Sequence, residues 1–133
     1  MTGMRRFYNL GEVISVCRPG APFAVYNEDY ENMNWYSTDF EKPSMEEINQ
    51  KKIELEAEEP MRCLREIRNY MIQSTDWTQG ADIRSIRGPE WCAAWDNYRQ
   101  QLRDITKTQN PYFENDQALH LSGVTWPQQP NLK

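Results

Sequence analysis

The residues of this chain that could do chemistry are few. Its metal-ligand and thiol types are one histidine, His120, and three cysteines, Cys17, Cys63 and Cys92. The cysteines are odd in number and far apart, so they make neither a disulfide framework nor a CxxC metal clip. They are expected as reduced, mostly buried thiols. His120 stands between Leu119 and Leu121 in a polar stretch, where a packing or surface role is expected rather than general-base work. There is no Gly-rich phosphate loop, no GxSxG elbow and no HExxH pair. The acids Glu46-Glu47, Glu54 with Glu56, and Glu58-Glu59 fall on a charged helical face, and carboxylates in such a setting are expected to be solvated. The sequence therefore points away from catalysis, and no catalytic residue, metal or cofactor is expected.

What remains is recognition chemistry. The chain holds five Trp, seven Tyr and four Phe, and Trp, Tyr and Arg dominate interface hot spots. Asp76-Trp77-Thr78-Gln79 can present a recognition surface, although Asp76 and Thr78 are also ordinary turn residues whose side chains satisfy local amides. Arg99 and Arg103 flank an aromatic seam and can pair with Asp76, Asp82 or Asp104. Trp91 and Trp95 are expected to pack. Five Trp exceed what one small core needs, so at least one of Trp35, Trp77 and Trp126 is expected to contact another subunit.

These side chains must be placed by short elements. Val13-Ile14-Ser15-Val16 suits a short helix or a strand, and Pro19-Gly20 reads as a tight turn. The runs Phe23 to Tyr26 and Met33 to Tyr36 flank a polar stretch and predict a β-hairpin. Pro43 precedes Ser44-Met45-Glu46-Glu47, a capping-box signature for a helix carrying Met45, Ile48 and Leu55. Pro60 is expected to end that helix and open a new one bearing Met61, Leu64, Ile67 and Met71. Ser74 to Pro89, with Gly80 and Gly88, reads as a loop. After Gly88-Pro89-Glu90, the residues Trp91, Trp95, Tyr98, Leu102 and Ile105 recur at alternating intervals of four and three, which puts all five on one seam of a helix. The Leu64/Ile67/Met71 stripe is its expected cover, as an antiparallel helical hairpin. Beyond Thr106 the chain is irregular, and its Pro-containing tail is either docked through Trp126 or mobile.

The stretch from Arg68 through Ser74-Thr75-Asp76-Trp77-Thr78-Gln79, followed by Trp95-Asp96-Asn97-Tyr98-Arg99 and Leu102-Arg103-Asp104-Ile105, resembles the phage tail assembly chaperone family, which also often ends in a Trp-Pro segment like Trp126-Pro127. The resemblance covers about Arg62 to Pro130. Upstream, Cys17-Arg18-Pro19-Gly20-Ala21-Pro22-Phe23 with Glu28-Asp29-Tyr30, Trp35 and Pro43 is similar to a small amino-terminal module of other phage tail proteins. The chain departs from the family pattern in three places, one being that Thr75 precedes the acid before Trp77. Gly80-Ala81-Asp82 stands where Leu-Pro-Asp is usual and is expected to loosen the turn, and the segment from Ile105 to Trp126 is longer.

The fold expected is α+β: a small hairpin-plus-helix module over 1–58, a helical hairpin over 59–107 and an extended tail over 108–133. The resemblance implies a factor that binds a phage tail or tail fibre protein during assembly in the host cytoplasm. The alternative is a structural subunit retained in the virion tail. A homo-oligomer is the other protein partner to consider. The formal net charge of −5 argues against nucleic acid, which needs a clustered cationic field. With no apolar run of about 20 residues and a mean hydropathy of −0.91, no membrane partner is expected. Met1 to Arg6 is not followed by the apolar core of an export signal.

Overall fold

Our computed structural model describes residues 3–131. Within them the chain is mixed α+β and mostly helical, with five α-helices and one two-stranded antiparallel sheet. Contacts divide it into two units, one formed by residues 6–59 and the other by residues from Pro60 onward together with the chain start up to Arg5.

In the 6–59 unit, α1 spans Leu10–Cys17, which resolves the Val13 to Val16 run as helix. The Asn9 side chain accepts the Glu12 amide at 2.8 Å and Glu28 accepts the Leu10 amide at 2.8 Å, so two of the four orphan donors of the first turn are satisfied. Pro19-Gly20 turns the chain, with the Ala21 amide donating to the Arg18 carbonyl at 3.1 Å and Gly20 at φ +81°, as the third position of a type II turn requires. Strands β1, Phe23–Ala24, and β2, Asn34–Trp35, pair antiparallel with Phe23 opposite Trp35. The predicted hairpin thus forms, shortened to two residues a side. Leu10, Val13, Ile14, Met33 and Ile48 make the core, and Phe23, Trp35 and Leu55 pack around it.

Helix α2 spans Met45–Gln73. Ser44 accepts the Glu47 amide at 3.1 Å, but the expected reciprocal half of the capping box is replaced. The Glu47 carboxylate instead takes both arms of Arg18, at 2.5 and 2.9 Å, and this pairing holds the Glu47 carboxyl below its usual pKa. A second correction concerns Pro60. No new helix starts there, because α2 runs through it. A mid-helix proline costs roughly 3 kcal/mol, and burial of the neighbouring turn opposes that cost: Glu59, Cys63 and Leu64 are all 2% exposed or less. Glu59 is accordingly not the solvated carboxylate expected. It accepts the Arg6 amide and, at 3.3 Å, the Tyr8 hydroxyl.

In the other unit, the segment expected to be a loop is structured. A 3₁₀ helix, Asp76–Gln79, leads into α3, Ala81–Arg87. Gly80 and Gly88 punctuate helix ends rather than an irregular loop. Helix α4, Pro89–Arg103, begins at Pro89 as predicted, and the short α5 covers Ile105–Thr108. Trp91, Trp95, Tyr98 and Leu102 form one buried cluster on α4, whereas Ile105, also buried, lies in α5 beyond the end of α4 at Asp104, so the expected five-residue helical seam is one residue shorter. Met71 and Ile72 of α2 pack on it. Arg68 donates to the Arg103 carbonyl at 3.3 Å and Arg99 to the Ile72 carbonyl at 2.9 Å. After α5 the chain closes a bridge between Tyr112 and Ser122. Trp126 then returns to the aromatic cluster, so of the two possibilities for the tail, docking holds. No described helix is long and apolar enough to cross a membrane.

Candidate functional site

The turn from Thr75 to Gln79 is built by hydroxyls. Thr75 Oγ1 donates to the Ile72 carbonyl at 2.8 Å, one of those freed where α2 ends, and Thr78 Oγ1 donates to the Thr75 carbonyl at 2.7 Å, at the start of the 3₁₀ helix. Both threonines are fully buried. From α4, Arg99 reaches under the turn, and its Nη1 donates to the Ile72 carbonyl at 2.9 Å, Thr75 Oγ1 at 2.8 Å and Asp76 Oδ1 at 3.1 Å. The guanidinium is buried because it replaces its water shell with these acceptors.

A second fastening lies on the other side. Arg84 of α3 holds Asp96 of α4 with two bonds of 3.0 and 2.8 Å, and Gln79 reaches the same carboxylate at 3.3 Å. The Arg84 hydrogen bond is the largest cause holding the Asp96 carboxyl below its ordinary pKa. The turn is thus fastened on both sides of Trp77, with Gly80 as the cap between the 3₁₀ helix and α3.

This frame presents Trp77. Its ring stands 5.8 Å from that of Trp91 and 5.5 Å from that of Trp95, while Trp95 in turn meets Tyr98 edge-on at 5.8 Å. Each such ring pair adds about 0.5–1.5 kcal/mol beyond area burial. Three of the four rings are buried, yet Trp77 is 54% exposed. Beside it, α3 buries no residue and leaves Ile86 82% exposed, and the Arg87 guanidinium lies 5.8 Å above the Trp91 ring. Inside the cluster, the Trp95 indole nitrogen is a buried donor with no partner among the described residues.

The fold thus gathers Asp76, Trp77, Thr78, Gln79, Trp91, Trp95, Tyr98, Arg99 and Trp126 around one cluster. Other expected residues lie elsewhere. Arg103 is exposed; its guanidinium donates to Gln100 at 3.4 Å and its carbonyl accepts from Arg68. Of the three acids considered for Arg99, Asp76 is the one it takes. Trp35 belongs to the 6–59 unit, where it stacks on Phe23 at 6.0 Å and donates to the Phe40 carbonyl at 2.9 Å. His120 is exposed. Cys63 is buried, whereas Cys17 and Cys92 are half-buried, so burial of the thiols is less complete than expected. Desolvation, then Glu47, pushes the Cys17 thiol up. Sequence reasoning missed Thr75 and Arg84. Nothing local marks Arg84, but Thr75 stood directly before the motif and its hydroxyl was a signal.

The family described as phage tail assembly chaperone protein matches residues 61–131. The chain belongs to that family. The matched region contains the whole Trp77 turn, both of its fastenings and the Trp126 segment. No curated protein and no solved structure matches the chain. Membership in a tail assembly chaperone family implies binding to phage tail proteins.

Proposed function

We propose that this chaperone-family chain binds a phage tail fibre protein during assembly in the host cytoplasm, through the surface centred on Trp77, and that binding rather than catalysis is its activity. The carrying observation is the position of Trp77: a half-exposed indole on a pinned turn, inside the region that defines the family. A rigid aromatic offered to solvent loses little conformational entropy when a partner covers it. The helical pairing that supports it is read as an antiparallel hairpin of α2 and α4. Residues 68 and 72 meet 103 and 99 in opposite sequence order, which favours that arrangement.

The test is co-expression with the tail fibre protein of the same phage, scoring the yield of soluble, correctly assembled fibre and its co-purification with the chain. Trp77→Ala is expected to lower co-purification at least tenfold while the variant keeps its fold. Unchanged capture and fibre yield by a folded Trp77→Ala variant would remove Trp77 from the binding surface.

A further inference from the structure

A second face of the chaperone unit already holds a peptide, and that peptide is the chain's own start. The Gly3 amide donates to Glu66 Oε1 at 3.1 Å, and the Met4 carbonyl accepts from Arg62 at 2.8 Å. Arg62 and Glu66 are joined to each other at 2.6 Å, so one ion pair reads both a main-chain donor and a main-chain acceptor. Gly3 sits at φ +79°, and a Cβ there would lie 2.1 Å from Ile67 Cγ1. Only glycine fits. Met4 is 42% exposed, and what the site takes from it is its carbonyl. The Arg5 guanidinium then lies 4.2 Å over the Phe113 ring and donates to the carbonyls of Asn115 and Ala118, each at 2.9 Å.

Charge agrees with geometry. Between Lys107 and Lys133 the sequence has no Lys or Arg, while Glu114 and Asp116 lie within the receiving loop. A cation must come from elsewhere in the chain or from another molecule. Carbonyls and a ring face suit a guanidinium better than an ammonium, because the planar fork can bond two acceptors while stacking.

We propose that this face is a peptide-binding site that reads Gly-Xaa-Arg and is occupied in the free chain by residues 3–5 themselves. The strap is tethered, so its effective concentration is of order millimolar, and a segment of the same pattern on another protein must displace it. The inference stands apart from the Trp77 surface, and neither depends on the other.

The test uses the full chain and a blocked hexapeptide of its own residues 2–7, Thr-Gly-Met-Arg-Arg-Phe, followed by NMR shifts at Ile67, Phe113 and Ala118. On Gly3→Val, whose own strap cannot seat, the peptide is expected to give saturable shifts with an apparent affinity at least tenfold tighter than on the unaltered chain. Alanine in place of the peptide's first arginine should abolish them. If Gly3→Val loses the Trp cluster's near-ultraviolet dichroism, Arg5→Ala takes its place with the same expectations. No saturable shift on a folded strap variant, or equal shifts from the alanine peptide, overturns the site.

Discussion

At the scale of single residues, Arg99 and Asp76 form one ion pair but carry unequal weight. The Arg99 side chain is 8% exposed and that of Asp76 62%. Removing Asp76 trims an exposed partner, and such pairs are worth about 0–1 kcal/mol. Removing Arg99 takes one charged hydrogen bond from the Ile72 carbonyl and one from the Thr75 hydroxyl, which keep only their bond to each other and to the local backbone, and it empties the volume of a buried side chain. Arg99→Ala is therefore expected to cost about 2–4 kcal/mol, and Asp76→Ala less than about 1. Urea unfolding of both variants checks this, and equal losses would contradict it. The sequence made the partnership legible, since it named Asp76 among three candidate acids. It could not say that Arg99 would be buried, because that depends on three acceptors, the Ile72 carbonyl, Thr75 Oγ1 and Asp76 Oδ1, being gathered where α2 ends.

At the scale of elements, the α4 seam was the most legible feature, since large side chains at alternating intervals of four and three, four of them within α4, admit one helical face. Pro60 was misleading for a physical reason. A proline reports the hydrogen bond it removes, but not the tertiary burial of Glu59, Cys63 and Leu64 that keeps the helix going. The segment from Ser74 to Pro89 was hidden by its glycines, which resemble loop residues until their φ angles are known. Gly88 is at φ +87° and ψ +176°, a region essentially closed to other residues. Gly88→Ala is expected to destabilise by about 1–3 kcal/mol, even though its Cβ would meet open space. A thermal midpoint unchanged from the parent would refute that. The link between α3 and α4 also predicts a pH response. Asp96 has its carboxyl pKa depressed in the fold by Arg84, so the stability it contributes is present above the unfolded carboxylate value of about 3.9 and is lost as pH falls through the lower folded value. Its side chain is 48% exposed, so the contribution is below about 1 kcal/mol. Acid unfolding followed below about pH 4 should show this increment in the parent and not in Arg84→Ala.

At the scale of the whole molecule, a chaperone that leaves its client should be missing from finished particles. Mass spectrometry is expected to find peptides from this chain in infected cells and none at a stoichiometric level relative to the tail proteins in purified phage. Stoichiometric presence would turn the reading to a retained virion subunit. The family was legible before any coordinates, because the Asp76-Trp77-Thr78-Gln79 turn and the α4 pattern are both specific and lie at a constrained separation. The site on the Gly3–Arg5 strap was not, since its pieces stand about sixty and a hundred residues apart in the chain and share no local pattern.

The Glu59 carboxylate receives the Arg6 amide, and these two residues are the first and last of the 6–59 unit. The path into that unit and the path out of it therefore begin at neighbouring points. In the language of gene rearrangement, such a stretch is an insert: a piece whose two ends meet can be spliced into a host sequence, or removed from it, by joining the flanks with a few residues. The flanks here are Arg5 and Pro60, and Pro60 lies one residue before the family match begins. A cut there falls inside α2, which runs on through Pro60, so a new join would have to restart that helix, a place where proline in the first turn is well suited.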